Sequence, residues 1–209
     1  MNNFDPRALM WNERYSENGF AYGDKPNKFF EQNLNTLYPG TILLAAEGEG
    51  RNAVYAAKNG WNVEAFDISH VGNFKANQLA NKFGVTINYQ IGDLISIKYK
   101  IAQFDVVALI YAHFQADMKS QYHMIIQEYL KPGGLIIFEA FSKNHLEYVT
   151  KNPMVGGPKD LNVLYSIEEI QNDFVDYHVK ILNEEVIELN EGKYHIGLGS
   201  VIRFVAQKI

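Results

Sequence analysis

The feature that most constrains the fold is a regular alternation of short apolar runs and helix-like segments between residues 41 and 141. The apolar runs predict buried strands at Thr41–Ala46, Val63–Phe66, Thr86–Gln90, Phe104–Tyr111 and Leu135–Phe141. The segments between them predict helices over Gly50–Asn59, Ser69–Gly84 and Asp117–Leu130. Strands that alternate with helices at this spacing indicate βαβ units, and therefore a parallel sheet.

The two ends of the chain depart from this alternation. Asp5-Pro6 predicts the start of a helix that ends near Gly19, and a second helix is expected over Lys28–Leu37. Toward the other end, Ser166-Ile167-Glu168-Glu169 has the pattern of a capping box. Two strand-like stretches follow, His178–Leu189 and Tyr194–Gln207, and they predict a terminal β-hairpin that adds an antiparallel strand to the sheet.

Composition excludes several classes of protein. A chain of 209 residues is long enough for one domain with its own core. Its formal net charge of −5 provides no basic surface for nucleic acid, and its lack of cysteine excludes disulfides and thiolate metal sites. Met1–Asp5 lack the pattern of a signal peptide, and no apolar run is long enough to span a bilayer. We expect a cytoplasmic protein without a membrane partner.

The turn Glu47-Gly48-Glu49-Gly50 follows the first predicted strand and precedes a helix. Glycines allow the backbone to approach a ligand closely, and a helix N-terminus offers free N–H groups to an anion. The turn suits either a pyrophosphate or an amino-acid carboxylate. Asp67 ends the second predicted strand, where an acid can accept hydrogen bonds from ribose hydroxyls. These two features alone leave a nicotinamide dinucleotide and S-adenosylmethionine (SAM) both open.

Three further motifs favour SAM: Gly92-Asp93-Leu94 after the third strand, Phe104-Asp105-Val106-Val107 at the fourth, and Leu130-Lys131-Pro132-Gly133-Gly134 before the fifth. With the glycine turn, they make residues 40–141 resemble a class I SAM-dependent methyltransferase. The resemblance implies a Rossmann-like three-layer α/β sandwich, with a seven-stranded, mostly parallel sheet and an antiparallel C-terminal hairpin strand. It implies SAM as cofactor and S-adenosylhomocysteine as product. The residues predicted to bind SAM are Glu47, Gly48, Glu49, Gly50, Asn52, Asp67, Ile68, Gly92, Asp93, Leu94, Tyr111 and Ala112.

A narrower resemblance extends over most of the chain. Its residues lie in three segments: Trp11–Asn27, Ala46–Ala53 and Glu191–Gly197. They are similar to the tellurite-resistance and thiopurine methyltransferase-like group, which implies a small acceptor with a soft or thiol-like nucleophile. The sequence departs from the wider class at Leu44, where an acid is expected, and at Ala46, where a glycine is expected. We expect Glu47 to substitute for the missing acid.

Residues for the methyl acceptor are expected beyond the carboxyl ends of the strands, where open α/β sheets bind ligands. His113 and His195 are the candidate catalytic residues, as a base or as groups that orient the acceptor. The candidate acceptor-binding residues are Trp11, Tyr22, Glu139 and Phe141. Ser142–Leu164, which contains several glycines and prolines, is predicted to form a mobile lid. No metal is expected.

The sequence therefore predicts one methyltransferase domain over residues 1–209. It comprises an N-terminal cover (1–39), a SAM-binding core (40–141), a lid (142–165) and a C-terminal helix and hairpin (166–209). A monomer or homodimer acting on a small molecule is expected. The alternatives are a NAD-dependent oxidoreductase, although Tyr111 and Lys119 lack the Tyr-x-x-x-Lys spacing, and a SAM-binding protein without catalysis. A nucleic-acid methyltransferase is disfavoured by the acidic net charge and by the residues at the end of the fourth strand. Ile110-Tyr111-Ala112-His113 stands there in place of an Asn/Asp-Pro-Pro-Tyr/Phe motif.

Overall fold

The computed structural model describes residues 5–209. Met1–Phe4, on which the signal-peptide expectation partly rests, lie outside the described residues. The helices are α1 (Pro6–Tyr15), α2 (Lys28–Leu34), α3 (Arg51–Lys58), α4 (His70–Lys82), α5 (Lys119–Tyr129), α6 (His145–Lys151) and α7 (Ile167–Asp173). The strands are β1 (Thr41–Ala45), β2 (Asn62–Asp67), β3 (Asn88–Ile91), β4 (Phe104–Ile110), β5 (Leu130–Phe141), β6 (Tyr177–Glu191) and β7 (His195–Lys208).

All seven strands form one sheet in the order β3-β2-β1-β4-β5-β7-β6. Neighbours among β1 to β5 are parallel, whereas β7 is antiparallel to both β5 and β6. The predicted mostly parallel sheet with an antiparallel hairpin is confirmed. The strand order reverses between β1 and β4, and ligands bind at such a switch point in open α/β sheets.

The sheet is covered on both faces, which explains why its central strands are almost continuously apolar. In β1, Leu43 belongs to one buried cluster and Leu44 to the other, because successive side chains point to opposite faces. Both side chains are almost fully buried. This packing produces the predicted three-layer sandwich.

Side-chain caps define several helix starts. Asp5 accepts from the Arg7 N–H, Asn27 from the Phe30 N–H and Ser69 from the Gly72 N–H. The predicted capping box is confirmed, because Ser166 and Glu169 each accept from the other's backbone N–H. Such caps satisfy N–H groups that have no partner within the helix.

Two large apolar side chains at the end and on the surface of α4 do not pack in the core: Phe74 in the helix and Phe83 just after it are 61% and 40% exposed. Lys58 Nζ lies 4.1 Å from the centre of the Phe83 ring, so a cation covers this ring instead of the core. The second helix ends at Leu34 rather than Leu37.

The predicted mobile lid contains ordered structure. Residues 142–164 include α6 and a short 3₁₀ turn at Pro153–Val155. The ring of His145 stacks on Phe141, with ring centres 3.8 Å apart, and this contact fixes α6 to the end of β5. The division of the chain into cover, core, lid and C-terminal unit stays a prediction. In the part of the chain from residue 5 onward, no helix is long and apolar enough to cross a membrane.

Candidate active site

A cavity of about 430 Å³ lies beyond the carboxyl ends of β1, β2 and β4, beneath α1. It therefore sits at the switch point of the sheet. The predicted site residues that line it are Trp11, Tyr22, Glu47, Asn52, Asp67, Ile68, Gly92, Asp93, Leu94, Tyr111, His113, Phe141 and His195. Residues from positions 7 to 195 thus share one concave surface.

Glu47 caps the helix that follows the glycine turn. Its Oε1 accepts from the backbone N–H groups of Asn52 and Ala53, each at 2.8 Å. Burial raises the pKa of Glu47 to about 7, although these hydrogen bonds favour the ionised form. In dinucleotide-binding folds the N-terminus of this helix holds the pyrophosphate. A carboxylate of the chain itself occupies it here, which disfavours the NAD-dependent alternative.

Of the four turn residues predicted to bind SAM, Glu47 lines the cavity, whereas Gly48, Glu49 and Gly50 lie behind its wall. A Cβ on Gly48 would come within 2.5 Å of the Tyr15 hydroxyl, and one on Gly50 within 2.5 Å of the Ala76 Cβ. Both glycines therefore permit close packing of the turn against α1 and α4. Glu49 points away from the cavity and accepts from the Ala21 N–H at 2.7 Å.

Leu44 and Ala46, the two residues that depart from the class motif, lie in different environments. Leu44 is a core residue. Ala46 lines the cavity and takes the left-handed conformation with φ of 52°, which is the conformation for which a glycine is favoured. Tyr111, at the end of the neighbouring strand β4, has φ of 53°. Such conformations in residues other than glycine cluster at functional sites.

Two acids follow β2 and β3. Asp67 is buried, and its carboxylate accepts from Gly48 N–H at 3.0 Å and from Ser69 N–H at 2.8 Å. Burial raises the pKa of Asp67 to about 6. Asp93 Oδ2 lies 3.4 Å from Arg7 Nη2 in the cover helix. Both side chains line the cavity where the sequence predicted adenosine contacts.

Three histidines surround Phe141 at the other end of the cavity, and two of them are fully engaged by the backbone. His113 Nδ1 donates to the Val163 carbonyl at 3.1 Å, and its Nε2 accepts from the Phe141 N–H at 3.3 Å. Burial also lowers the pKa of His113 to about 3. His145 similarly donates to the Gly156 carbonyl and accepts from the Ser200 N–H. This geometry opposes a role as base for His113.

His195 differs from the other two histidines. Its Nδ1 lies 3.0 Å from Glu191 Oε2, and within residues 5–209 its Nε2 has no hydrogen-bond partner. The side chain is buried and lines the cavity. Of the two candidate catalytic histidines, only His195 presents a ring nitrogen that an acceptor can use.

Two other predicted site residues lie outside the cavity lining. Glu139 is fully buried and accepts from Asn27 Nδ2 and Arg203 Nε, each at 2.6 Å. Its carboxylate is therefore held in an ion pair, and its prediction as an acceptor-binding residue is not supported by the geometry. Ala112 is buried, and its carbonyl accepts from the Tyr165 hydroxyl at 3.1 Å.

Sequence reasoning missed several residues that shape the site. Arg51 is buried at the cavity wall, and its Nη2 donates to Glu191 Oε2 at 3.0 Å. Arg7 and Arg14 of the cover also line the cavity. Arg51 could have been noticed because it follows the glycine turn directly. The pairing of Glu191 with Arg51 could not be predicted, because Glu191 lies at the hairpin end of β6, far from Arg51 in sequence.

The residues present fit SAM. The carboxylates of Glu47, Asp67 and Asp93 line the cavity and could accept from the hydroxyl and amino groups that SAM carries. The Tyr111 hydroxyl is buried at the cavity without a hydrogen-bond partner in residues 5–209. A buried polar group without a partner is costly, so a bound ligand that supplies one would stabilise this arrangement.

Comparison with known proteins agrees with this assignment. Residues 42–134 match a protein-family model described as a methyltransferase domain. No curated protein sequence matches the chain.

Three solved structures show the same fold. One, from work on the conversion of a disulfide bond into a thioacetal group during echinomycin biosynthesis, has a TM-score of 0.74 at 15% identity and covers 97% of this chain and 92% of that one. TehB from Haemophilus influenzae has a TM-score of 0.70 at 16% identity, over 88% of this chain and 63% of TehB. A SAM-dependent methyltransferase from Aquifex aeolicus has a TM-score of 0.59 at 18% identity, over 89% of this chain and 95% of that one.

The domain match and the fold together define the class. Residues 42–134 carry a methyltransferase domain, and the chain has the fold of the class I SAM-dependent methyltransferases. Its cofactor is SAM.

Replacing Glu47 by alanine is expected to weaken SAM binding at least about tenfold. The substitution removes the acceptor of two helix N–H groups and loosens the cofactor turn, and loss of such a cap costs ~1 kcal/mol or more. Isothermal titration calorimetry measures the change. Glu49→Ala is the matched control, because its carboxylate lies in the same turn but points away from the cavity. Unchanged SAM affinity in Glu47→Ala would show that Glu47 does not substitute for the missing acid.

Proposed function

We propose that this methyltransferase transfers the methyl group of SAM to a small molecule that carries a soft, thiol-like nucleophile. The observation that carries this proposal is the composition of the cavity end around Phe141. Aromatic rings and buried imidazoles form it, and His195 Nε2 is the ring nitrogen available to an acceptor. Low polarity at this end suits a polarisable sulfur or related atom better than a strongly hydrated group.

The size of the cavity supports a small acceptor. Ligand cavities usually measure roughly 300–1,000 Å³, and this one, at about 430 Å³, lies near the lower end of that range. A formal net charge of −5 likewise favours a small molecule over nucleic acid.

In this proposal the chain's residues hold and orient the reactants. Asp67 would accept from the ribose hydroxyls, Asp93 from the adenine amino group, and Glu47 would order the methionine end. SAM supplies a methyl group that its sulfonium already activates. The enzyme therefore has to align the acceptor and exclude water.

The roof of the acceptor end comes from the predicted lid. Gly157, Pro158 and Val163 line the cavity, and the Val163 carbonyl is held by His113. We propose that this roof opens for the acceptor and closes over it, as a lid does. Protease sensitivity of residues 142–165 that SAM and acceptor leave unchanged would contradict this proposal.

The experiment that tests the function is an acceptor screen with methyl-labelled SAM. Thiols, tellurite, selenite and small phenols are offered, and S-adenosylhomocysteine release is measured. Turnover with thiols but not with phenols is the expected result, whereas turnover with tellurite or selenite alone would contradict the argument from low polarity. Retained SAM without turnover on any acceptor would favour the non-catalytic SAM-binding alternative. We further propose a cytoplasmic monomer or homodimer, which localisation and light scattering would check.

A further inference from the structure

We propose that Glu191 is a positioning residue that fixes the His195 ring so that Nε2 removes the proton of a neutral thiol. The acceptor would then be a protic aliphatic thiol rather than an anion that is already ionised. This inference rests on the proposed function and names its substrate class.

Three groups converge on the Glu191 carboxylate, and two of them, Arg51 and Asn27, come from distant parts of the chain. Its Oε2 accepts from Arg51 Nη2 at 3.0 Å and lies 3.0 Å from His195 Nδ1. Its Oε1 accepts from Asn27 Nδ2 at 3.1 Å. An ionised carboxylate can only accept hydrogen bonds, so His195 Nδ1 must carry a proton. Nε2 of the neutral ring then bears the lone pair, as a general base requires.

Charge and burial keep both partners in the required state. Burial opposes ionisation of Glu191, but the Arg51 guanidinium and the His195 ring outweigh it and lower the pKa of Glu191 to about 2. Burial lowers the pKa of His195 below its usual value, although Glu191 acts in the opposite direction. At neutral pH the pair is therefore a carboxylate and a neutral imidazole.

Packing fixes the plane of the His195 ring. Its centre lies 4.4 Å from that of Tyr22, 4.6 Å from Tyr111 and 5.2 Å from Phe141. Gly156 passes close to the ring, and a Cβ there would lie 2.8 Å from Cδ2 and 3.4 Å from Nε2. The absence of a side chain at Gly156 therefore gives this side of the ring the room it needs.

The proton step follows from this arrangement. The thiol proton moves to His195 Nε2, and the S–H electron pair stays on the acceptor sulfur. That sulfur bonds to the methyl carbon as the carbon's bond to the sulfonium breaks, with its electrons returning to the cofactor sulfur. The imidazolium then releases its proton to water. An aliphatic thiol has a pKa of about 8.5 and is only a few per cent ionised at pH 7, so a base that removes its proton accelerates the reaction.

The first test uses the ligand-free protein and does not depend on activity. Ring ¹⁵N chemical shifts of His195 are expected to show the Nδ1–H tautomer in the wild type and a mixture of tautomers in Glu191→Gln. Glu188→Gln is the matched control, because it makes the same change at an exposed position of the same strand. If Glu191→Gln does not fold, Glu191→Asp, which keeps the charge but shortens the side chain, is expected to weaken the tautomer preference. Wild-type tautomer populations in a folded Glu191 variant would overturn the positioning role.

The second test separates protic from ionised acceptors. Glu191→Gln is expected to lower kcat about 10- to 1,000-fold for an aliphatic thiol, which is less than the roughly 100- to 10,000-fold expected when the base itself is removed. For an aromatic thiol already ionised at pH 7 the loss should stay below about threefold, with SAM affinity unchanged in both cases. Equal losses for both thiols would overturn the inference. Absence of wild-type turnover with any thiol would overturn the acceptor class, while the tautomer measurement still decides the role of Glu191.

Discussion

Glutamine in place of His195 is expected to slow methyl transfer to an aliphatic thiol about 100- to 10,000-fold, which is the usual contribution of a general base. The reason is that Nε2 of His195 is the ring nitrogen that the protein leaves available in the cavity, whereas both nitrogens of His113 bind backbone groups. The measurement is the rate of S-adenosylhomocysteine formation at saturating SAM. SAM affinity should be unchanged, because the cofactor contacts lie at the other end of the cavity.

The pH profile of the rate distinguishes the loss of a base from a change in the shape of the cavity. The base is active when neutral, and burial lowers the pKa of His195 below its usual value, so the wild-type rate should fall only on the acid side of neutrality. In His195→Gln the rate should follow the thiolate fraction, rising about tenfold per pH unit up to the thiol pKa near 8.5. His178→Gln, on the exposed face of β6, is the control. Identical pH profiles for wild type and His195→Gln would exclude the base role.

Alanine in place of Asp67 is expected to weaken SAM binding about 100-fold or more. Hydrogen bonds to a charged group contribute roughly 1.5–3 kcal/mol each, and the carboxylate would accept from the ribose hydroxyls. The same change leaves the N–H groups of Gly48 and Ser69 without their acceptor. The free energy of unfolding should therefore fall by ~1–3 kcal/mol as well. Calorimetry and denaturant unfolding measure the two effects.

Asp105→Ala is the matched control for this prediction. Asp105 begins β4, while the cavity lies beyond the strand's other end, and its carboxylate pairs with Lys131 at 2.7 Å. Its loss should affect stability but not SAM affinity. A SAM dissociation constant within about threefold of wild type in Asp67→Ala would rule out the ribose contact.

The fold was predictable because its signals are local. The strand β1 is an apolar run followed at once by a glycine turn, and Ser166 and Glu169 lie within one turn of helix, so each pattern is visible in a short window. The ordered structure within residues 142–164 was not predicted, for the opposite reason. What orders α6 is the stacking of His145 on Phe141 and its contact with Ser200, and the second of these lies across 55 residues.

The cofactor end of the site was more predictable than the acceptor end. Asp67 and Asp93 follow their strands directly, so topology alone brings them together. Glu139 also lies near the carboxyl end of its strand, but its carboxylate forms an ion pair with Arg203, 64 residues later in sequence. The pairing of Arg51 with Glu191 spans 140 residues and has no sequence signature. Both ring nitrogens of His113 form hydrogen bonds with backbone groups. The types of residue in the sequence do not reveal where those backbone groups lie.

The insertion of β7 between β5 and β6 has a consequence for biosynthesis. During translation the β5 edge stays unpaired until residues 195–208 have left the ribosome, because β7 is its neighbour on that side. An apolar strand with an open edge is prone to pair with other chains. The strand that is made after all the other strands of this sheet therefore both covers this edge and carries His195, so the proposed base reaches the cavity only as the β5 edge becomes paired.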